Sequence, residues 1–186
     1  MSTKSIQIQT NPAPTPTQPA VFAPSAVVAN AGDNLTWHNA DSQDHWPAPS
    51  ASHPADWIQY KIPPNSESRG DVALAKNVVS VTAATNTNPI VLTFNSPSPA
   101  SGSPVTIAYA APKPAPPTPS PWSAVKGALV ATKTGANSCS VPIDGSAFGP
   151  FSAASGTLTI ALPYTLNYVC ALHPAETGTV TVNPQQ

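Results

Sequence analysis

Charge is scarce in this chain: only 8% of its 186 residues are Asp, Glu, Lys or Arg, and the formal net charge is -1. The seven Lys and Arg residues are scattered without forming a run, so nothing in the sequence recruits nucleic acid or an anionic membrane surface. No stretch approaches the roughly 20 apolar residues of a membrane-crossing helix, and no membrane span is expected. Methionine is nearly missing, with Met1 the single example. Cysteine is limited to Cys139 and Cys170. Two thiols allow one disulfide in an oxidising compartment, but sequence alone does not bring them together. Met1 to Thr10 lack the apolar centre of a signal peptide. Met1 followed by Ser2-Thr3-Lys4 reads as a start codon on a mature sequence, and the sparse charge and Thr/Pro-rich connections suit an exported protein, periplasmic or extracellular.

What the chain has in quantity is proline, 25 residues of it, with Thr, Val, Ala, Ser and Asn in the short runs between. That mixture is hostile to long helices and compatible with strands, so the expected class is all-β. Ser5 to Thr10 alternates Ile6 and Ile8 against Gln7 and Gln9, which predicts a strand; Asn11 to Ala20, rich in Pro and Thr, is expected to be an extended connection. Val21 to Asn30 and Leu35 to Asn39 flank a Gly32-Asp33 turn and read as two strands. Residues 46–70 hold five prolines and two tryptophans with no period. They form a long loop, and another strand follows near Val72-Ala73-Leu74.

The texture then changes. Between about Val78 and Phe151 lie five short strand candidates, beginning at Val79, Ile90, Val105, Ala128 and Cys139, enough to close a small barrel. Ala111 to Pro121 has six prolines in eleven residues and predicts a stiff, polyproline-like loop. Beyond Phe151 come three more strands: Gly156 to Leu162, Tyr164 to Cys170, and Gly178 to Val182.

The chemistry concentrates at two places. Near the C-terminus, Tyr168-Val169-Cys170-Ala171-Leu172-His173-Pro174 sets a thiol and an imidazole three apart at a strand-loop junction, followed by Glu176 and Gly178-Thr179-Val180-Thr181-Val182. Upstream, the strand bearing Trp37 and Asn39 leads to His45, eight residues past the Trp. One thiolate and two imidazoles with a weak axial partner is a donor set that binds copper in electron-transfer sites, and zinc can also occupy it.

In these residues the chain resembles the cupredoxins, most closely the amicyanin and plastocyanin branch. There a strand ending W-x-N leads to the first His, and a Cys-x-x-His-Pro-x-Met loop precedes Gly-x-Val-x-Val. The resemblance covers roughly residues 21–75 and 156–186. It implies one copper ion held by His45, Cys170 and His173, in a Greek-key β-sandwich interrupted by an inserted module resembling small barrel domains. The organisation expected is an N-terminal strand and connection over 1–20, a first part of the sandwich over 21–75, an inserted β module over 76–152, and the last part with the copper loop over 153–186.

The departure from the family lies at the axial position, where Glu176 stands in place of Met. A carboxylate oxygen is harder than a thioether and favours the cupric state if it binds; the alternative for Glu176 is a solvated loop carboxylate. The chemical analogy is with the red nitrosocyanins, where the carboxylate comes from another part of the chain. A second departure is Trp46, where relatives carry a small polar residue that hydrogen-bonds near the thiolate. His38 is expected to face solvent and His53 to have no partner motif. Cys139 is expected to be a packing residue. Trp46, Trp57 and Tyr60 are expected to pin their loop, or alternatively to form a docking patch.

The function the resemblance implies is one-electron transfer to a redox partner protein, by a monomer that is not an enzyme. The alternatives are an open copper site that binds nitric oxide, oxygen or peroxide, and a storage or adhesion role carried by the insert. The absence of Met-rich or His-rich tracts weighs against storage.

Overall fold

The computed structural model describes residues 2–50, 60–113 and 118–185, with the backbone alone for Ala153. His53, Trp57 and the middle of the proline-rich loop lie outside them. The chain is nearly all β, and the helical segments among the described residues are two short turns, Pro121–Ala124 and Ala153–Ser155. No helix among them is long and apolar enough to cross a membrane. Two compact units are formed: Met1–Ala75 with Tyr164–Val182, and Lys76–Pro163 with Asn183–Gln186.

The first unit begins with β1 (Thr3–Thr15), β2 (Gln18–Ala23), β3 (Ala26–Asn30), β4 (Asn34–Asn39), β5 (Pro47–Pro49), β6 (Ser66–Glu67) and β7 (Val72–Ala73). β1 pairs antiparallel with β2 and parallel with β4, placing Ile6 opposite Trp37 and Ile8 opposite Asn39. The plain connection expected over Asn11–Ala20 is therefore a hairpin. Proline removes ladder donors there, and side chains replace them: Asn11 Nδ2 donates to the Gln18 carbonyl at 3.1 Å, and the Gln18 N–H donates to Thr15 Oγ1 at 3.1 Å. Between β3 and β4 the chain reverses at Gly32, whose φ of 92° suits glycine. The Asp33 carboxylate accepts from the Asn30 and Ser2 N–H groups, and these bonds hold its carboxyl below the usual range.

The second unit is built of β8 (Asn77–Ala84), β9 (Ile90–Phe94), β10 (Pro104–Ala110), β11 (Gly127–Val130), β12 (Thr132–Gly135), β13 (Ser138–Val141) and β14 (Thr157–Leu162). They form a nearly closed, barrel-like sheet in the order β11-β10-β14-β8-β9-β13-β12. Ile90, Leu92, Phe94, Ile107, Leu158 and Ile160 fill it, and the buried Trp122 donates its indole N–H to the Gly149 carbonyl at 3.1 Å. Here the structure corrects the sequence reading. β14, assigned to the sandwich that was to resume at residue 153, sits between β10 and β8 in this sheet. The alternation of Leu158, Ile160 and Leu162 suits either sheet; long-range pairing, which no local pattern specifies, decides between them.

β15 (Tyr164–Cys170) and β16 (Thr177–Asn183) complete the first unit, pairing antiparallel with Tyr168 opposite Gly178. With β3 and β5 they make a second sheet, in the order β3-β16-β15-β5. Ile6, Ile8, Phe22, Leu35, Trp37 and Val180, drawn from both sheets, join Tyr168 in one core. The Tyr168 ring lies against Phe22 and Trp37, with centroids 4.8 and 5.7 Å away. It also covers Gly178 so closely that a Cβ there would overlap the ring. Glycine at this position is thus a packing requirement of the strand pair.

Candidate metal centre

The backbone around His45 is set by Asn39. Its fully buried side chain donates to the carbonyls of Gln43 at 2.7 Å and Ile62 at 2.8 Å, and its Oδ1 accepts the Asp41 N–H at 3.0 Å. These bonds close the turn after β4 and join it to the strand-like segment at Ile62. His45 and Ile62 then exchange backbone hydrogen bonds in both directions, at 3.2 and 2.7 Å. His45 has no freedom to swing into solvent; it is fully buried.

The second donor segment is a closed loop. The Cys170 N–H donates to the Glu176 carbonyl at 3.0 Å, the His173 N–H to the Cys170 carbonyl at 3.1 Å, and the Glu176 N–H to the His173 carbonyl at 2.9 Å. Two successive turns therefore carry the chain from β15 to β16, and each turn presents a donor side chain. A contact between the Ala171 N–H and the Trp46 carbonyl at 2.8 Å ties this loop to the first segment.

One donor atom each from His45, Cys170, His173 and Glu176 meets within 4.8 Å of the others. The two Nδ1 atoms are 3.3 Å apart, and Cys170 Sγ lies 3.5 Å from that of His173 and 3.8 Å from that of His45. Donors bound about 2.0–2.3 Å from one metal ion stand about this far from each other, so the set fits a single ion. The donor types suit copper or zinc. These are the four residues singled out in the sequence.

Glu176 is not a solvated loop residue. It is 1% exposed; Oε1 accepts the Ala20 N–H of β2 at 2.9 Å, and Oε2 lies 2.9 Å from His45 Nδ1. Burying a carboxylate is costly unless a cation faces it, and without a metal that cation is His45. Burial pushes the His45 imidazole down, but the contacts with Cys170, Glu176 and Asp41 outweigh it and raise its pKa to about 10. A bound metal would take the place of that proton.

The thiolate position has a donor that does not depend on side-chain type. The Trp46 backbone N–H points at Cys170 Sγ at 3.3 Å, so the large residue at this position leaves the bond to sulfur in place. Cys139 is elsewhere: it is a free, fully buried thiol in the core of the second unit, and burial raises its pKa to about 11. Cys170 is also free, and no disulfide joins the two. His38, expected in solvent, is half-buried, with Nδ1 2.9 Å from Gln7 Oε1; the parallel pairing of β1 with β4 sets those two side chains opposite each other.

Sequence reasoning missed Asp41. Its Oδ2 lies 3.1 Å from His45 Nε2, its Oδ1 accepts the Thr10 hydroxyl at 2.6 Å, and the Gln43 N–H reaches Oδ2 at 3.2 Å. Burial pushes its carboxyl up, yet the bonds from Thr10, His45 and the backbone win and leave the pKa at about 2. The spacing of four from His45 was visible; the partner Thr10, 31 residues away, was not. No protein-family model matches the chain, and no curated protein is significantly similar to it.

Proposed function

We propose that this protein is a mononuclear copper carrier of cupredoxin type, with a Greek-key sandwich interrupted by a second β module, that passes one electron at a time to a redox partner protein. The observation that carries the reading is the convergence of His45 Nδ1, Cys170 Sγ, His173 Nδ1 and a Glu176 oxygen from two distant segments of chain. A structural thiol needs no imidazole pair beside it. Copper, once bound, would supply a couple between Cu(II) and Cu(I).

The chain's own residues contribute rigidity and access. The Asn39 bonds and the paired turns of residues 170–176 fix three ligands through the backbone, so little rearrangement is available when the charge at the centre changes. His173 is the donor nearest solvent, with its side chain 13% exposed, and the neighbouring Leu172 is 40% exposed. Together they offer an apolar edge at which a partner could receive or deliver an electron. Glu176, buried and anchored by Ala20, acts as a hard fourth ligand. It favours the cupric state and moves the spectrum away from blue. The protein is read as an exported monomer that consumes no substrate.

Loading the protein with Cu(II) and recording visible and electron paramagnetic resonance spectra tests the proposal. Expected is one copper per chain, an intense thiolate-to-copper band and an axially perturbed resonance. Failure to bind copper, or binding without the sulfur band, would overturn it. Adding azide separates a closed carrier from a site that accepts small molecules: the spectrum of the carrier does not respond.

A further inference from the structure

Asp41 is 3% exposed and donates no atom to the metal cluster, yet every hydrogen bond it accepts is directed. Thr10 on β1 holds one oxygen, and the Gln43 N–H and His45 Nε2 meet at the other. With Nδ1 of His45 turned toward Cys170 and His173, Nε2 is the nitrogen left on the far side of the ring. An acceptor-only carboxylate at that nitrogen requires its proton there. That selects the tautomer whose Nδ1 lone pair is free for a metal, and it raises the donor strength of the ring.

Charge points the same way. The Cys170 thiolate and Glu176 carboxylate together balance a divalent ion, and with Cu(I) the centre carries one negative charge. The Asp41 carboxylate adds a further negative charge behind His45, in a setting where water screens it poorly. An electron entering the centre is repelled by it.

We propose that Asp41 is a positioning residue of the centre: it fixes the tautomer and orientation of His45, and its charge biases bound copper toward the cupric state. The inference rests on the copper reading above.

The test is the protein with Asp41→Asn and with Asp41→Ala. Cu(II) and Cu(I) affinities are measured separately by competition with chelators selective for each state, and the reduction potential by direct electrochemistry. Asn can keep an oxygen facing Nε2 while losing the charge. It is expected to lower Cu(II) affinity about 10- to 100-fold and to change Cu(I) affinity less than about threefold. The potential then rises by about 60–120 mV, at 59 mV per tenfold change for one electron. Asp41→Ala also loses the acceptor, and both affinities should fall. A potential in Asp41→Asn equal to that of the wild type, whether both affinities hold or fall together, overturns the role of the charge.

A measurement on unaltered protein guards against variants that do not fold. In the diamagnetic Cu(I) form, nitrogen-15 spectra should show a proton on His45 Nε2 that is protected from solvent exchange; an unprotonated or freely exchanging Nε2 overturns the positioning role. Wild-type protein that takes up no copper removes the copper reading and this inference together. Wild-type uptake with an unchanged Asp41→Asn removes the role of Asp41 alone.

Discussion

Cys139 and Cys170 are both fully buried, both free and both at strand positions, yet their surroundings have nothing in common. Cys139 lies among the aliphatic side chains of the second unit, and burial holds it as a thiol, with its pKa raised to about 11. Cys170 has an apolar wall on one side and, on the other, a backbone N–H and two imidazole nitrogens within 3.8 Å. Burial alone therefore does not distinguish a packing thiol from a ligand. The directed polar groups around the sulfur do, and they come from Trp46, His45 and His173, at separations in sequence from 3 to 125 residues.

The largest contrast should come from removing each sulfur in turn. Cys170→Ser is expected to abolish the intense visible band of the copper-loaded protein, since that transition needs a thiolate donor, and to weaken copper binding by orders of magnitude. Retention of the band would make the two cysteines equivalent and break the comparison. Cys139→Ser places a hydroxyl in an apolar core and should cost about 1–3 kcal/mol of stability in urea unfolding, with the copper spectrum unchanged.

Next in size is Glu176→Met, which replaces a hard oxygen by the soft sulfur that cupredoxins carry at the loop position Glu176 resembles. The loaded protein should become bluer and its potential should rise. The Ala20 N–H loses its acceptor, so the metal-free protein should also lose about 1–3 kcal/mol. An unchanged spectrum and potential would show that Glu176 serves only to hold Ala20 and His45.

The four candidate donor residues were legible in the sequence through two short motifs that resemble those of cupredoxins, and the structure ties each motif together by short-range backbone geometry. Cys170, His173 and Glu176 sit on two consecutive turns, and Asn39 fixes the path to His45. The all-β class was legible from proline and the period of two in segments such as Leu35-Thr36-Trp37. The strand Thr157–Leu162 was assigned to the wrong unit, and Asn11–Ala20 was read as a connection. In both cases the local pattern was correct and the partner strand was not encoded locally. Asp41 and the Ala20 anchor were hidden for the same reason: a carboxylate four residues before a histidine acquires meaning only when Thr10 and His45 are brought to it away from solvent.

The smallest expected effect on the metal comes from the most drastic change to the chain. All four donor residues, with Asn39, Asp41, Trp46 and Ala20, belong to Met1–Ala75 or Tyr164–Val182, so the contacts described for the centre lie within the first unit. The points where the chain leaves and re-enters that unit are also held within it. The Leu74 N–H donates to the Asp33 carbonyl at 2.9 Å, the Leu74 carbonyl accepts from Gly32 at 2.7 Å, and the Tyr164 hydroxyl reaches the Ala75 carbonyl at 2.8 Å. The two ends thus lie side by side, and a few glycines can join them in place of residues 76–163. Closing so short a loop costs little chain entropy and shortens the route to the β15 pairings, which favours folding. We expect the shortened protein to bind one copper with an unchanged visible spectrum and an affinity within about threefold of the full chain, read by chelator competition. Loss of copper binding in a variant that still gives a cooperative unfolding transition would show that the second unit supports the centre, and the division between the two cysteines would no longer be a division between two independent units.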